Sequence, residues 1–503
     1  MGGLENFLDP LAVQDDTLCQ LAVDLSKTYR NLALTSTDQF LATPVNVLPH
    51  GRERGKFLAI DVGGSNLRVA FIDLLGDSRD HLHNISRSYE KSWSIEEHLK
   101  FDQAHDLFRW IGDCIAAVIR ACLSDDKDAL GSEIPIGITF SFPMLQRSIT
   151  EATLMPMGKG FAISKDANLA ELLLAGYAHT TAANGHDSNP PLPKLKITAI
   201  TNDTVATLAS LSYSAGIKPN TRVVMGLIVG TGTNATIPME LRHLHESKRS
   251  GIKMPAPSES DEASTIVNTE WTIKGTAGPL HDLGIVTRWD VALDAACEAP
   301  GFQPFEYMTS GRYLGELVRL IVVDWFVNVE RTKPDDLPPA LNQRNSISTV
   351  WLSRVVAKTP SPDKLVSVLQ QDLQPPATSS WSWTHEHAYV LKKTTETVSL
   401  RSSKLIAAAT VGLMGCVARK TLSGLPPEET EDLVVACTGG LFLQYPGFFR
   451  TCQDCIDDLV GELNIKQGVR RVKLQEAPDG GIIGAGVLAG TVWNLPNDVA
   501  MQS

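Results

Sequence analysis

Twice this chain runs a β-rich segment into a glycine turn and straight out again as a second β-rich segment. Residues 57–61 (FLAID) and 67–75 (LRVAFIDLL) are joined by Val62-Gly63-Gly64-Ser65-Asn66. Residues 222–229 (RVVMGLIV) lead through Gly230-Thr231-Gly232-Thr233-Asn234 into residues 235–238. Short β-rich runs around a glycine turn are hairpins. Glycines also let the backbone come close to a ligand, with free N–H groups facing anionic oxygens. The repeat predicts two related lobes facing each other. Two later β-rich runs, 433–437 and 469–475, close on Thr438-Gly439-Gly440 and Asp479-Gly480-Gly481. One such turn reads either as a plain hairpin or as a phosphate cradle. Four of them, each ending a strand, point to a nucleotide lying across a cleft.

The remaining periodicity fills in an α/β chain. Apolar residues at 104, 107, 108, 111, 115, 118, 119 and 122 have helical spacing. Helices are also expected over 15–43, 166–180, 204–215, 309–328, 397–421, 445–463 and 483–495, with strands over 134–142 and 195–201. Residues 184–194 and 254–264 read as surface loops. At 503 residues the chain exceeds one ordinary core and predicts two large lobes or two to three domains.

With 45 Lys+Arg against 57 Asp+Glu, the net charge is −12, which argues against a nucleic-acid partner. Neither a spanning apolar run nor a polybasic segment suggests membrane insertion. The amino-terminal MGGLENFLDP has early acids and no basic stretch, unlike a secretory signal. The eight scattered cysteines fit a reducing, cytoplasmic compartment. Monomer and homodimer both stay open.

Three constellations carry chemistry. A carboxylate at a strand end, Asp61, suits a Mg²⁺ ion held through water. In Thr201-Asn202-Asp203-Thr204 the residue types suit a helix N-cap; equally, Asp203 suits a general base that takes a proton from an attacking hydroxyl. The stretch 137–161 starts as a buried strand and then offers Ser141, Gly158 and Lys159. Asn268-Thr269-Glu270 and Glu306 add polar groups near turns. Thr384-His385-Glu386-His387 lacks the spacing of a zinc helix, and Cys452 and Cys455 form a lone CxxC.

The order of these motifs, from about residue 55 to 492, resembles the hexokinase family. DVGGSNLRV (61–69) and GTGTN (230–234) look like its two phosphate motifs, TFSFP (139–143) through KGF (159–161) like its sugar stretch, and NDT (202–204) like its catalytic motif. NTEW (268–271) and FEYMTSGRYLGELVRL (305–320) look like its large-domain sugar contacts. The resemblance implies a two-lobed, actin-like ATPase fold of duplicated ribonuclease-H-like domains around a deep cleft. It implies a segment 1–56 on the large lobe, a small lobe 57–201, a large lobe 202–487 and a tail 488–503. It implies ATP and Mg²⁺, with Asp203 as catalytic base. Ser141, Gly158, Lys159, Asn202, Asn234, Glu270 and Glu306 would meet the sugar. Asp61, Gly63, Gly64, Ser65, Asn66, Arg68, Gly230, Thr231, Gly232, Thr233, Thr438, Gly439 and Gly440 would surround the nucleotide, Asp61 holding the metal through water.

The sequence departs from the glucose-using pattern at Gly158, where relatives usually have threonine, and at Thr272, where they usually have glycine. EKSWSI (90–95) and MTSGRYLGELVRLIVVDW (308–325) resemble fungal N-acetylglucosamine kinases. The expectation is therefore a kinase for the 6-hydroxyl of N-acetylglucosamine. The alternatives are a broad glucose/fructose hexokinase and a hexokinase-like sugar sensor with little catalysis.

Overall fold

The computed structural model describes residues 2–64, 66–76, 84–96, 99, 104–142, 144–155, 168–183, 191–215, 220–254, 263–417, 431–463 and 469–495. Two sheets organise them. The smaller has five strands in the order Ile85–Ser94, Asn66–Leu75, Arg54–Val62, Glu133–Phe140 and Lys194–Thr201. Its first three strands pair antiparallel and the last two join in parallel. The larger sheet repeats that plan with Ser264–Asn268, Thr233–Glu240, Thr221–Val229, Glu431–Thr438 and Val469–Glu476. It adds one edge strand, Leu41–Ala42, antiparallel to Ser264–Asn268. This is the duplicated α/β architecture that the two hairpins predicted.

Period-two side-chain placement explains why both faces of these strands are apolar. In the small sheet Leu58, Ile60 and Val62 pack with Phe108, Ile111 and Ile115 of the helix Ala104–Asp125. The alternate residues Phe57 and Ala59 turn to the other face, with Ile482, Ala485 and Leu488 of the helix Gly480–Trp493. That second core also takes in Val205 and Leu208 of the helix Asp203–Ala215, together with Val223, Val434 and Ala436 of the large sheet. Two helices thus form a middle layer shared by both sheets. The far face of the large sheet is covered by Asp15–Thr35, Leu314–Asp324 and the long helix His385–Gly415.

Several element boundaries differ from the sequence expectation. The helix expected over 15–43 stops at Thr35, because the Ser36 hydroxyl accepts the Gln39 N–H at 3.1 Å and turns the chain. The helix expected from 397 begins at His385, where Thr384 and His387 form a capping box; the Thr384–His387 motif is that cap. The helix expected over 309–328 is two pieces, Pro304–Thr309 and Leu314–Asp324, the second continuing as a wider turn through Val329. The boundary expected at 487/488 falls inside the unbroken helix Gly480–Trp493. No helix among the described residues is long and apolar enough to cross a membrane.

Candidate active site

Three parallel strands of the small sheet end on one edge. Register pairs Asp61 with Thr139 and Thr139 with Thr201. Just beyond that line lie the turn 62–66, Ser141 and the pair Asn202-Asp203. The Gly63 N–H donates to Asn66 O at 2.9 Å and closes the turn, leaving Gly64 and Asn66 exposed. The Ser141 N–H donates to Val62 O at 3.0 Å, so Ser141 stands against the same turn.

Of Asn202-Asp203 it is the asparagine that caps the helix. Asn202, 3% exposed, is the cap: its Oδ1 accepts from the Thr204 N–H at 2.8 Å and from the Thr204 hydroxyl at 2.5 Å. Asp203 opens the helix in its first turn, partly exposed. The next residue, Thr204, puts its carbonyl against Gly226 of the strand that leads to Gly230. A Cβ at 226 would also lie 2.9 Å from Thr236 Cγ2. Register pairs Gly226 with Thr236 and Ile228 with Asn234. Asp203 therefore stands beside the strand pair that carries Asn234.

On the large sheet the polar candidates do converge. Asn234 Nδ2 donates to Asn268 Oδ1 at 2.8 Å and to Glu270 Oε1 at 3.2 Å; Asn268 Nδ2 donates to the same Glu270 oxygen at 2.8 Å. Glu306, 6% exposed, accepts the Thr233 N–H at 3.2 Å and the Thr272 hydroxyl at 3.4 Å on its Oε2. The threonine that departs from the family pattern at 272 thus touches a candidate sugar ligand. Glu270 itself has φ +45°, a left-handed conformation that residues with a side chain rarely adopt. Thr233 is turned inward, its hydroxyl donating to Thr309 O at 3.2 Å, whereas Thr231 is exposed.

The glycine turns of the large sheet touch. Gly439 has φ +112°, and a Cβ there would come within 2.8 Å of Gly230 N. The Gly230 N–H donates to Gly232 O at 2.9 Å, and Gly230 O accepts the Gly311 N–H at 2.7 Å. Gly230 to Gly232 and Thr438 to Gly440 form one backbone-lined corner.

Arginine links the facing edges. Arg68 donates to Asp61 Oδ2 through Nη2 at 2.7 Å and Nε at 3.2 Å, and through Nη1 to Asp479 Oδ1 at 2.5 Å. Arg87 meets the other Asp479 oxygen at 2.8 Å. Burial pushes the Asp61 carboxyl up, which Arg68 only partly offsets. For Asp479 burial acts the same way, but the two arginines hold its carboxyl below the ordinary value. Gly481 lets the helix start come this close: a Cβ there would lie 2.7 Å from Asp61 Oδ2.

Ser65, Gly158 and Lys159 lie outside the described residues, as does most of the loops 184–194 and 254–264. Asn268 and Asp479 fell within motifs singled out at 268–271 and 479–481 without a role of their own, and Arg87 was missed altogether. Asn268 is two residues before Glu270 and Asp479 opens the fourth glycine turn, so both carried a signal; Arg87 carried none. Cys452 and Cys455 lie on the helix Phe448–Glu462, both thiols pushed up by burial.

Residues 224–491 match a family model described as hexokinase, and residues 3–213 match a second model of that description. The chain is 31% identical over 456 residues to hexokinase HKDC1 of Homo sapiens, covering 90% of this chain and 44% of that protein. It is 28% identical over 452 residues to hexokinase-9 of Oryza sativa subsp. japonica, covering 90% and 81%. It thus spans less than half the length of the human relative. Its structure is similar to that of a hexokinase from Schistosoma mansoni complexed with glucose, with a TM-score of 0.74, 27% identity, and 97% and 98% of the two chains covered.

Proposed function

The chain belongs to the hexokinase family and has its two-lobed α/β fold, and from that premise we propose that it is an ATP-dependent kinase for the 6-hydroxyl of N-acetylglucosamine. The observation that supports a sugar kinase most is the pairing of Asp203, in the first turn of a helix at the small-sheet edge, with the Asn234–Asn268–Glu270 cluster on the neighbouring strands. A sugar offers many hydroxyls and needs many fixed polar partners. Asn234, Glu270 and Glu306, with Ser141, Asn202 and Lys159, are that set.

In the proposed reaction Asp203 accepts the proton of the sugar 6-hydroxyl as its oxygen bonds to the γ-phosphorus of ATP. The bond from that phosphorus to the bridging oxygen breaks, and ADP leaves. Asp61 would hold, through water, the Mg²⁺ that the substrate nucleotide brings. The turn backbone at Gly64, Thr231, Gly232, Gly439 and Gly440, with Arg68, would face the phosphates. Phosphoryl transfer asks a protein for alignment and charge neutralisation more than for covalent help, and closure of the lobes keeps water from competing. The product feeds amino-sugar catabolism in the cytoplasm.

N-acetylglucosamine is preferred on the sequence at Gly158, where loss of the usual threonine opens space, and on the subgroup stretches at 90–95 and 308–325. A glucose/fructose hexokinase is the second reading, favoured by the names of the relatives and by the glucose bound to the similar schistosome enzyme. The test is ADP release from MgATP with N-acetylglucosamine, glucose, fructose and mannose, with Asp203→Ala as control. N-acetylglucosamine turnover well above glucose, lost in the variant, supports the first reading. Preference for glucose selects the second. Sugar binding without turnover removes the kinase.

A further inference from the structure

Glu270 does not adopt its conformation on backbone preference alone. At φ +45° it needs partners that hold it there. Its carbonyl accepts two bonds, from the Ile273 N–H at 3.4 Å and from Gln39 Nε2 at 3.0 Å. Gln39 comes from far away in sequence and is 1% exposed. Its amide is oriented by an acceptor on one side and a donor on the other, since its Oε1 accepts the Gly275 N–H at 3.0 Å. Its own carbonyl accepts Lys248 Nζ at 2.9 Å, and that ammonium also meets Ala33 O at 2.9 Å. The next residue, Phe40, donates its N–H to Thr269 O at 2.9 Å, and Leu41 pairs with Asn268. Gly275 leaves the space Gln39 occupies: a Cβ there would come within 2.6 Å of Leu32 Cδ2 and would run into the Gln39 amide.

We propose that Gln39 is a positioning residue for the sugar site, holding the main chain of Glu270 in the left-handed turn that presents its carboxylate beside Asn234 and Asn268. This rests on the reading of Glu270 as a sugar ligand. A bond that only supported the fold would serve equally well on any residue of the loop. This one ends on the strained residue whose side chain joins the polar cluster. The segment carrying Gln39 also leads from the large sheet into the first strand of the small one, so the clamp sits where the chain crosses between lobes.

The test is Gln39→Met in the full chain, which keeps the volume and removes the donor, beside Thr43→Val. Thr43 is buried in the same segment, its hydroxyl donating to Ile266 O at 2.6 Å, away from Glu270. Measured are sugar Kd by calorimetry, the KM of sugar and of ATP, kcat and Tm. Loss of one buried bond to a ligand-presenting residue is expected to weaken sugar binding about ten-fold, with ATP KM and kcat within about two-fold. Thr43→Val is expected to lower Tm and leave sugar Kd unchanged. Should Gln39→Met not fold, Gln39→Glu, which keeps the acceptor for Gly275, is measured instead with the same expectation. Wild-type sugar affinity in the Gln39 variant, or equal weakening in Thr43→Val, overturns the proposal. Should wild type bind none of the four sugars, the sugar-site reading falls and the positioning role falls with it.

Discussion

Gly311→Ala tests the nucleotide corner without touching a charge. Gly311 donates its N–H to Gly230 O at 2.7 Å, and a Cβ on residue 311 would lie 2.7 Å from that same oxygen. Ordinary carbon–oxygen contact needs roughly 3.4 Å, so the carbonyl must retreat by roughly 0.7 Å, a real displacement in an interior packed to crystal density. It cannot retreat freely. Gly230 N is tied to Gly232 O at 2.9 Å, and the Gly439 backbone lies on its other side, 3.3 Å from where a Gly230 Cβ would be. The shift stretches both bonds to the limit of useful geometry. At about 0.5–1.5 kcal/mol each, their loss totals about 1–3 kcal/mol. If the corner binds phosphates, much of this appears as weaker nucleotide binding, an increase in ATP KM of roughly 5- to 100-fold. Sugar affinity, proposed to rest chiefly on Asn234 and Glu270, should change less than ATP KM, with any effect reaching it through Glu306, which Thr233 links to the same corner. The assay is initial rate against ATP at saturating sugar, then against sugar at saturating ATP, with calorimetry for sugar alone. An unchanged ATP KM with a lowered Tm would show that the corner is structural and refute the nucleotide reading.

Asp203→Asn removes the proposed proton acceptor but keeps the shape of the helix start; kcat should fall by about 10²- to 10⁴-fold in a steady-state ADP assay, with sugar Kd little changed. Asp61→Asn should cut activity while leaving the protein at least as stable at neutral pH. The native Asp61 carboxyl is raised above its unfolded value by burial, so its ionisation costs stability as pH rises through that window; thermal melts of wild type and variant should converge at acid pH. Arg401→Met strands a buried carboxylate: Arg401 grips Asp290 at 2.8 and 2.6 Å, the two side chains are 1% and 3% exposed, and urea unfolding should show a loss of about 3–5 kcal/mol. Burial works to raise the Asp290 carboxyl, but Arg401 and Thr287 hold it below the ordinary value. Its stabilisation is therefore present above the unfolded value and lost as pH falls through the native one, and Arg401→Met should flatten that acid limb.

The sheets were readable because their signal is local. Residues 57–61, 67–75 and 222–229 alternate faces within a few positions, and both faces happen to be buried, so each run looks β-rich and apolar at once. The edge strands Lys194–Thr201 and Val469–Glu476 were readable, but the other two edges were not. Ile85–Ser94 is mostly exposed and polar, and Leu41–Ala42 has only two residues. The candidate site was legible where motif and local geometry coincide, as in Gly230-Thr231-Gly232 or Asn202-Asp203. It was illegible where a residue acts across the fold. Gln39 and Glu270 are 231 residues apart, and Arg68 and Asp479 are 411 apart. Nothing in the local sequence of Gln39 marks it; the left-handed Glu270 and the closed-in Gly275 are what support its proposed role.

The duplication also bears on why one carboxylate of a related pair is the better candidate base. Each repeat ends in a fifth strand followed by a helix. Asp203 begins the helix after Lys194–Thr201, and Asp479 stands just before the helix after Val469–Glu476, its carboxylate turned to the arginines rather than to the helix start. Each helix leaves the sheet it follows and packs on the other one, and the two lie together in the middle layer, where the two carboxylates are placed at facing sheet edges. Position alone makes them alternatives. Their surroundings do not. Asp479 is clamped by Arg68 and Arg87 and its carboxyl is held down, so it is a poor proton acceptor and a good strut between Asp61 and the large sheet. Asp203 begins the helix set beside the strands bearing Asn234, the residue that meets Asn268 and Glu270. Of two carboxylates delivered to related places by one duplicated fold, Asp479 is thus committed to ion pairs, which leaves Asp203 as the proposed proton acceptor.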